Sequence, residues 1–216
     1  MAWIARRRIV AFRPRRTFLR RQDAGTSMMR ALRTFYLCYL SQPKSLRPLY
    51  RTLLKRAKPS RKNPGGPIRK ITELGVGTAE RTLRMLELCP ATDETVYAGI
   101  DLFEARQNGD GPGLKLKEAH QRLAAVGAKI KLIPGDPYSA LMRSANSLTG
   151  QDLIFIAADQ DRASLAKAWF YVPRMLNEQT VVFEETLVDG RSTVAIVPHD
   201  EIARRAAAAT PGRRAA

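Results

Sequence analysis

The sequence predicts an α/β fold over residues 68–200, a mostly parallel sheet with helices on both faces and an antiparallel last strand. Three observations carry this. From Ile68 onward, short runs rich in β-branched residues alternate with segments of helical periodicity. One run, DLIFIA at 152–157, is apolar at nearly every position, as a strand buried on both faces must be. The last two runs are separated by Asp189-Gly190, a hairpin signal that turns the chain back.

Taken in order, the first element is not part of the sheet. Residues 1–25, MAWIARRRIVAFRPRRTFLRRQDAG, are dense in Arg, hold one acid and are interrupted by Pro14, so self-repulsion predicts an extended, disordered basic arm. Residues 26–67 form a helical extension and linker. Met29, Leu32, Phe35, Tyr36 and Tyr39 recur at helical spacing behind a Thr26 or Ser27 cap, and that spacing predicts core positions for the three aromatics. Leu46, Leu49, Tyr50, Leu53 and Leu54 mark a second amphipathic helix after Pro43, and KPSRKNPGGP reads as the linker.

Strands are then expected at 71–74, 96–101, 129–133, 152–157, 180–184 and 193–197. Helices are expected at 79–89, 114–126, 138–147 and 165–176, the last despite Pro173. The Ala- and Arg-rich residues 201–216 offer little to pack and are expected to form a frayed helix and tail.

Bulk properties limit the setting. A chain of 216 residues with 44% apolar residues can bury its own core. Cys38 and Cys89 lie in helical segments and read as buried thiols, which suits a reducing, cytoplasmic location. No apolar run is long enough to span a membrane, and no secretory leader is expected. The net charge of +17 is uneven: residues 1–70 carry 20 Lys and Arg against the single acid Asp23, while the remainder is slightly acidic. Such a segment binds polyanions by counterion release. RNA is therefore one candidate partner of the arm, and an anionic membrane surface is another.

The sharpest local signal is ITELGVGTAERT, a strand that passes through glycines into a helix. Gly75 and Gly77 let the backbone turn tightly and approach a ligand with no Cβ between, and the helix behind them presents free N–H groups. A dinucleotide fingerprint would place a third glycine at position 80, where this chain has Glu80, an acid unwelcome beside a pyrophosphate. No Gly-Lys-Ser or Gly-Lys-Thr closes a phosphate loop. Asp101 ends the second strand in YAGIDLF, placed to accept hydrogen bonds from ribose hydroxyls, and Asp136 follows the third in LIPGDPYSAL.

Glu73, Gly75 and Gly77, with Ala79 where a further glycine is common, resemble the first motif of class I S-adenosylmethionine (SAM) methyltransferases, and Asp101 and Asp136 fall in order behind it. The resemblance implies a Rossmann-like fold. It implies SAM as cofactor, held by Glu73, Gly75, Gly77, Thr78, Asp101 and Asp136, with Asp136 near the adenine amino group. It requires Glu73 and Asp101 to face one open hollow.

The nearest group by resemblance is the small bacterial methyltransferases whose fourth strand ends Asp-Ala-Asp, which adjoin the metal-dependent catechol and caffeoyl O-methyltransferases. Here that strand reads DLIFIAADQD, so Ala157 stands where those enzymes carry a metal-binding acid. No metal is assigned, although Asp159, Asp161, Glu184 and Glu185 could supply oxygen ligands. Asp159, at the carboxyl end of the central strand, is the candidate acid or base for a small-molecule methyl acceptor. The alternatives are a non-catalytic binding or scaffold protein on the same fold, or an RNA-binding protein using the basic arm. Oligomeric state is open at this level.

Overall fold

A computed structural model describes residues 22–41, 43–57, 66–89 and 94–210. Most of the expected arm, most of the linker and the last six residues of the tail lie outside the described residues.

Six strands form one sheet in the order β3-β2-β1-β4-β5-β6: β1 Lys70–Leu74, β2 Val96–Asp101, β3 Lys129–Pro134, β4 Leu153–Ile156, β5 Val181–Val188 and β6 Arg191–Val197. The first five are parallel; β6 runs antiparallel to β5, from Val182↔Val197 to Val188↔Arg191. The chain therefore has a Rossmann-like α/β fold with an antiparallel last strand and an N-terminal helical extension.

Alternation along each strand divides the interior in two. Ile71, Tyr97, Phe155, Phe183 and Val194 face one side. Against them pack α2 (Arg47–Ala57), α3 (Glu80–Leu88) and α4 (Leu116–Ala124) through Leu49, Tyr50, Leu53, Met85 and Leu123. Leu74, Ile100, Ile154, Ile156, Val182 and Val197 face the other side, covered by α5 (Pro137–Ser144), α6 (Arg162–Ala168) and α7 (His199–Ala209). Strand β4 is buried at all four positions. Both cysteines are buried and free, and burial pushes the Cys89 thiol up to about 12. Among the described residues no helix is long and apolar enough to cross a membrane.

Three elements differ from expectation. The helix after β4 stops at Ala168, where the ladder tightens to i→i+3 bonds beginning with Phe170 N–H to Lys167 O, and it continues only as a 3-10 turn at Val172–Met175 with Pro173 in its first positions. The terminal helix α7 (His199–Ala209) starts ahead of the expected frayed helix and is packed through Ile202 and Ala206. Third, α1 (Gln22–Phe35) passes into a π-turn at Tyr36–Leu40, and the wider turn brings Leu37 and Cys38 onto the body. Phe35, Tyr36 and Tyr39, expected in the core, are each about half exposed.

Candidate functional site

Neighbouring β1 and β4 send their connections to opposite faces of the sheet, which opens a crevice at the carboxyl ends of the strands. The turn after β1 enters this crevice. Gly75 N–H donates to Ile100 O at 2.8 Å, and Ala157 N–H to Leu74 O at 2.8 Å, so the turn is pinned to both neighbouring strands. Gly75 has φ +92°, and a Cβ there would lie 2.4 Å from Gln160 Nε2 and 2.7 Å from Ala157 Cβ, so no side chain fits. Gly77 follows at φ +57°, and Ala79, although not a glycine, is held left-handed at φ +61°.

Asp101 sits at the lip of the turn. Its Oδ2 accepts the Gly77 N–H at 2.8 Å, and its Oδ1 accepts the Phe103 N–H at 3.2 Å. The carboxylate is also gripped by Arg106, from Nε to Oδ1 at 3.0 Å and from Nη2 to Oδ2 at 2.9 Å. Arg106 Nη1 bonds the carbonyls of Asp110 and Gly111, so the same guanidinium anchors the glycine-rich loop. That loop folds over the turn, with Leu114 N–H donating to Gly77 O at 3.1 Å.

Glu73 is not brought into the crevice. It is fully buried beneath the turn, where Arg81 Nε donates to Oε1 at 2.7 Å and Oε2 accepts from Thr82 Oγ1 at 2.6 Å and Tyr97 OH at 2.5 Å. Burial, and then the Glu73 charge, push the Tyr97 hydroxyl far above its usual value and keep it a donor. Burial opposes the charge on Arg81, but Glu73 and Glu185 hold its pKa above the ordinary arginine value. The expectation that Glu73 and Asp101 share one hollow is therefore not met.

Two adjoining hollows occupy the crevice, and Asp159 and Leu187 wall both. The one over the turn, about 280 Å³, is lined by Gly75, Gly77, Thr78, Arg81 and Glu185. Its neighbour, about 450 Å³, is lined by Asp101, Arg106, Asp136, Gln160 and Asp161. Asp136 caps α5, accepting the N–H groups of Tyr138 at 3.0 Å and Ser139 at 3.1 Å and the hydroxyls of Ser139 and Ser164. Partial burial raises its pKa, and these four donors outweigh that and lower it to about 2. Asp159 is partly exposed, accepts from Gln160 Nε2 at 2.8 Å and lies 3.6 Å from Arg106 Nη2.

The four acids that could supply oxygen ligands do not gather at one point, although Asp159 and Glu185 line the same hollow. Glu184 and Glu185, adjacent on β5, point to opposite faces, the first to Arg205 and the second to Arg81 and Ser192. Among the described residues no group of three potential metal-ligating side chains occurs.

Arg81 and Arg106 were not found by sequence reasoning, and together they set the electrostatics of the crevice. A SAM-type ligand fits these residues on one condition. The bare backbone of Gly77 leaves space, with the nearest atom to a Cβ being Pro112 O at 3.6 Å, and Asp101 stands at its edge. Both Asp101 oxygens, however, must be released by Arg106 before ribose hydroxyls can reach them.

No family model matches the chain, and no curated protein does. Solved structures do. A SAM-dependent methyltransferase from Clostridium acetobutylicum is similar at 15% identity and TM-score 0.45, covering 76% of this chain and 58% of its own. An O-methyltransferase of tomaymycin synthesis from Streptomyces achromogenes, in complex with SAM, is similar at 16% identity and TM-score 0.47, covering 86% and 76%. A TehB-like SAM-dependent methyltransferase from Corynebacterium glutamicum is similar at 14% identity and TM-score 0.44, covering 87% and 83%. The chain thus spans less than two thirds of the length of the Clostridium protein.

Proposed function

We propose that the chain is a SAM-dependent methyltransferase that binds the adenosyl ligand over the Gly75–Ala79 turn and methylates a small-molecule acceptor. The observation that carries the reading is the 2.8 Å bond from Gly77 N–H to Asp101 Oδ2. It ties the acid that ends β2 to the bare backbone after β1, beside an open hollow at the point where the sheet reverses its strand order. SAM, when bound, supplies a methyl group on a sulfonium, so the chain has chiefly to bind and orient.

In this reading Asp101 accepts the ribose hydroxyls once Arg106 turns away, and the 450 Å³ hollow takes the base beside Asp136. Glu73 has no contact with the ligand; it fixes Arg81 beneath the turn. Asp159, on the wall between the hollows, takes the proton from the acceptor. Ala157 leaves the fourth strand without the acid of the metal-dependent group, so the acceptor is deprotonated by a side chain alone.

The test is thermal unfolding with SAM and with S-adenosylhomocysteine. Ligand at about a hundredfold excess over its Kd raises Tm by about 5–10 °C. Gly77→Arg, which fills the cradle, removes that shift and leaves a cooperative transition. A shift that persists in Gly77→Arg places the ligand elsewhere, and none in the parent chain rejects the reading.

A further inference from the structure

Helix α1 and the π-turn behind it carry most of the large apolar side chains that stand exposed among the described residues. Met28, Leu32, Phe35 and Tyr39 follow one another at helical spacing, so they form a single stripe, and Met29 and Leu40 widen it; all are between 46% and 69% exposed. Leu37 and Cys38, on the other side of the turn, are buried. An open groove of about 910 Å³ lies between Met29, Leu32 and Tyr36 on one side and Leu83, Leu86 and Val126 on the other, with Arg30 beside it and Arg33 paired to Glu87. An apolar surface of this extent in water marks a site that something covers.

Charge selects the occupant. Residues 1–41 hold ten Arg against Asp23 alone. In a dimer through this stripe, two such segments would face each other and repel. RNA would answer the arginines but not the stripe. Met and Leu have no planar face to offer a base. The rings of Phe35 and Tyr39 lie against each other at 5.1 Å, and Arg51 covers Tyr39 at 5.1 Å. An anionic lipid surface answers both, accepting aliphatic and aromatic side chains at the acyl boundary and arginines at the headgroups.

We propose that this stripe is a docking face for an anionic bilayer surface, with α1 lying in the plane of the headgroups. The 21 residues that precede α1 have matching composition, eight Arg interleaved with Trp3, Ile4, Ile9, Val10, Phe12, Phe18 and Leu19. The inference does not depend on the cofactor reading.

The experiment is co-sedimentation of the full chain with vesicles of phosphatidylcholine alone or rich in phosphatidylglycerol, at low and high salt. The expected result is partitioning at least about ten-fold stronger onto the anionic vesicles, weakened by salt. Leu32→Glu with Phe35→Glu, both at exposed positions, should weaken it by about ten-fold or more with an unchanged circular dichroism spectrum. Equal partitioning onto both vesicles overturns the proposal. So does undiminished binding of the double variant, which would assign the affinity to the arginines alone. A dimer that the double variant splits, or RNA binding that it abolishes in a protein indifferent to vesicles, also overturns it.

Discussion

The Arg106 guanidinium holds both oxygens of Asp101, at 3.0 and 2.9 Å, and so occupies the acid that the proposed function assigns to the ribose hydroxyls. A ligand that needs Asp101 must displace this pair, and its apparent affinity is the intrinsic one multiplied by the fraction of molecules in which the pair is open.

Arg106→Gln therefore raises affinity for S-adenosylhomocysteine. A charge-assisted, mostly buried pair contributes enough that its removal should tighten Kd by about ten-fold. Isothermal titration of both proteins checks this. A weaker Kd in the variant would make Arg106 a ligand contact.

Glu73→Gln tests the separation of the first-motif acid from the ligand. It leaves the Arg81 guanidinium buried without its principal counter-charge, which costs about 3–5 kcal/mol. Urea unfolding should register that loss, while the Kd of the folded variant for S-adenosylhomocysteine stays at the parent value. A large change in Kd at unchanged stability would return Glu73 to the cofactor.

Asp136 gives the fold an acid-labile contribution. Its folded pKa of about 2 lies below the ordinary 3.8, so the stabilisation is complete above 3.8 and is lost as pH falls toward 2. The carboxylate is partly exposed, and discounting for solvent screening leaves about 1 kcal/mol. Asp136→Asn, which still caps a helix, should flatten the stability profile over this range in acid titrations followed by circular dichroism. An unchanged profile would show that the serine contacts contribute nothing.

Asp159→Asn separates binding from chemistry. Affinity for S-adenosylhomocysteine should stay at the parent value, and methyl transfer to any acceptor the parent protein accepts should fall about a hundred-fold or more. Undiminished turnover would remove Asp159 from proton transfer.

Much of the sheet was legible because strand patterning depends on burial. The expected bounds of β2 coincide with Val96–Asp101, and the Asp189-Gly190 turn joins β5 to β6 as expected. Strand β5 runs four residues past its expected end at Glu184 because its ladder to β6 continues where the side chains are exposed, and backbone pairing leaves no apolar signal. The π-turn at Tyr36–Leu40 was invisible for a related reason: a helical stripe gives a period, but not which side of it meets the body.

At the site, the glycine turn and Asp101 could be read because backbone geometry demands those residue types. Arg81 and Arg106 could not, since an inward guanidinium looks the same in sequence as a surface one. The one available signal was proximity, Arg106 five residues past Asp101 and Arg81 eight past Glu73.

In the proposed function an adenosyl ligand lies over the backbone between Gly75 and Ala79. Amide chemical-shift mapping of the 15N-labelled chain during titration with S-adenosylhomocysteine measures this directly. Saturable shifts concentrated at Gly75, Gly77, Thr78 and Phe103 are the expected result. Saturable shifts confined to another region, or a spectrum that does not change, would contradict it.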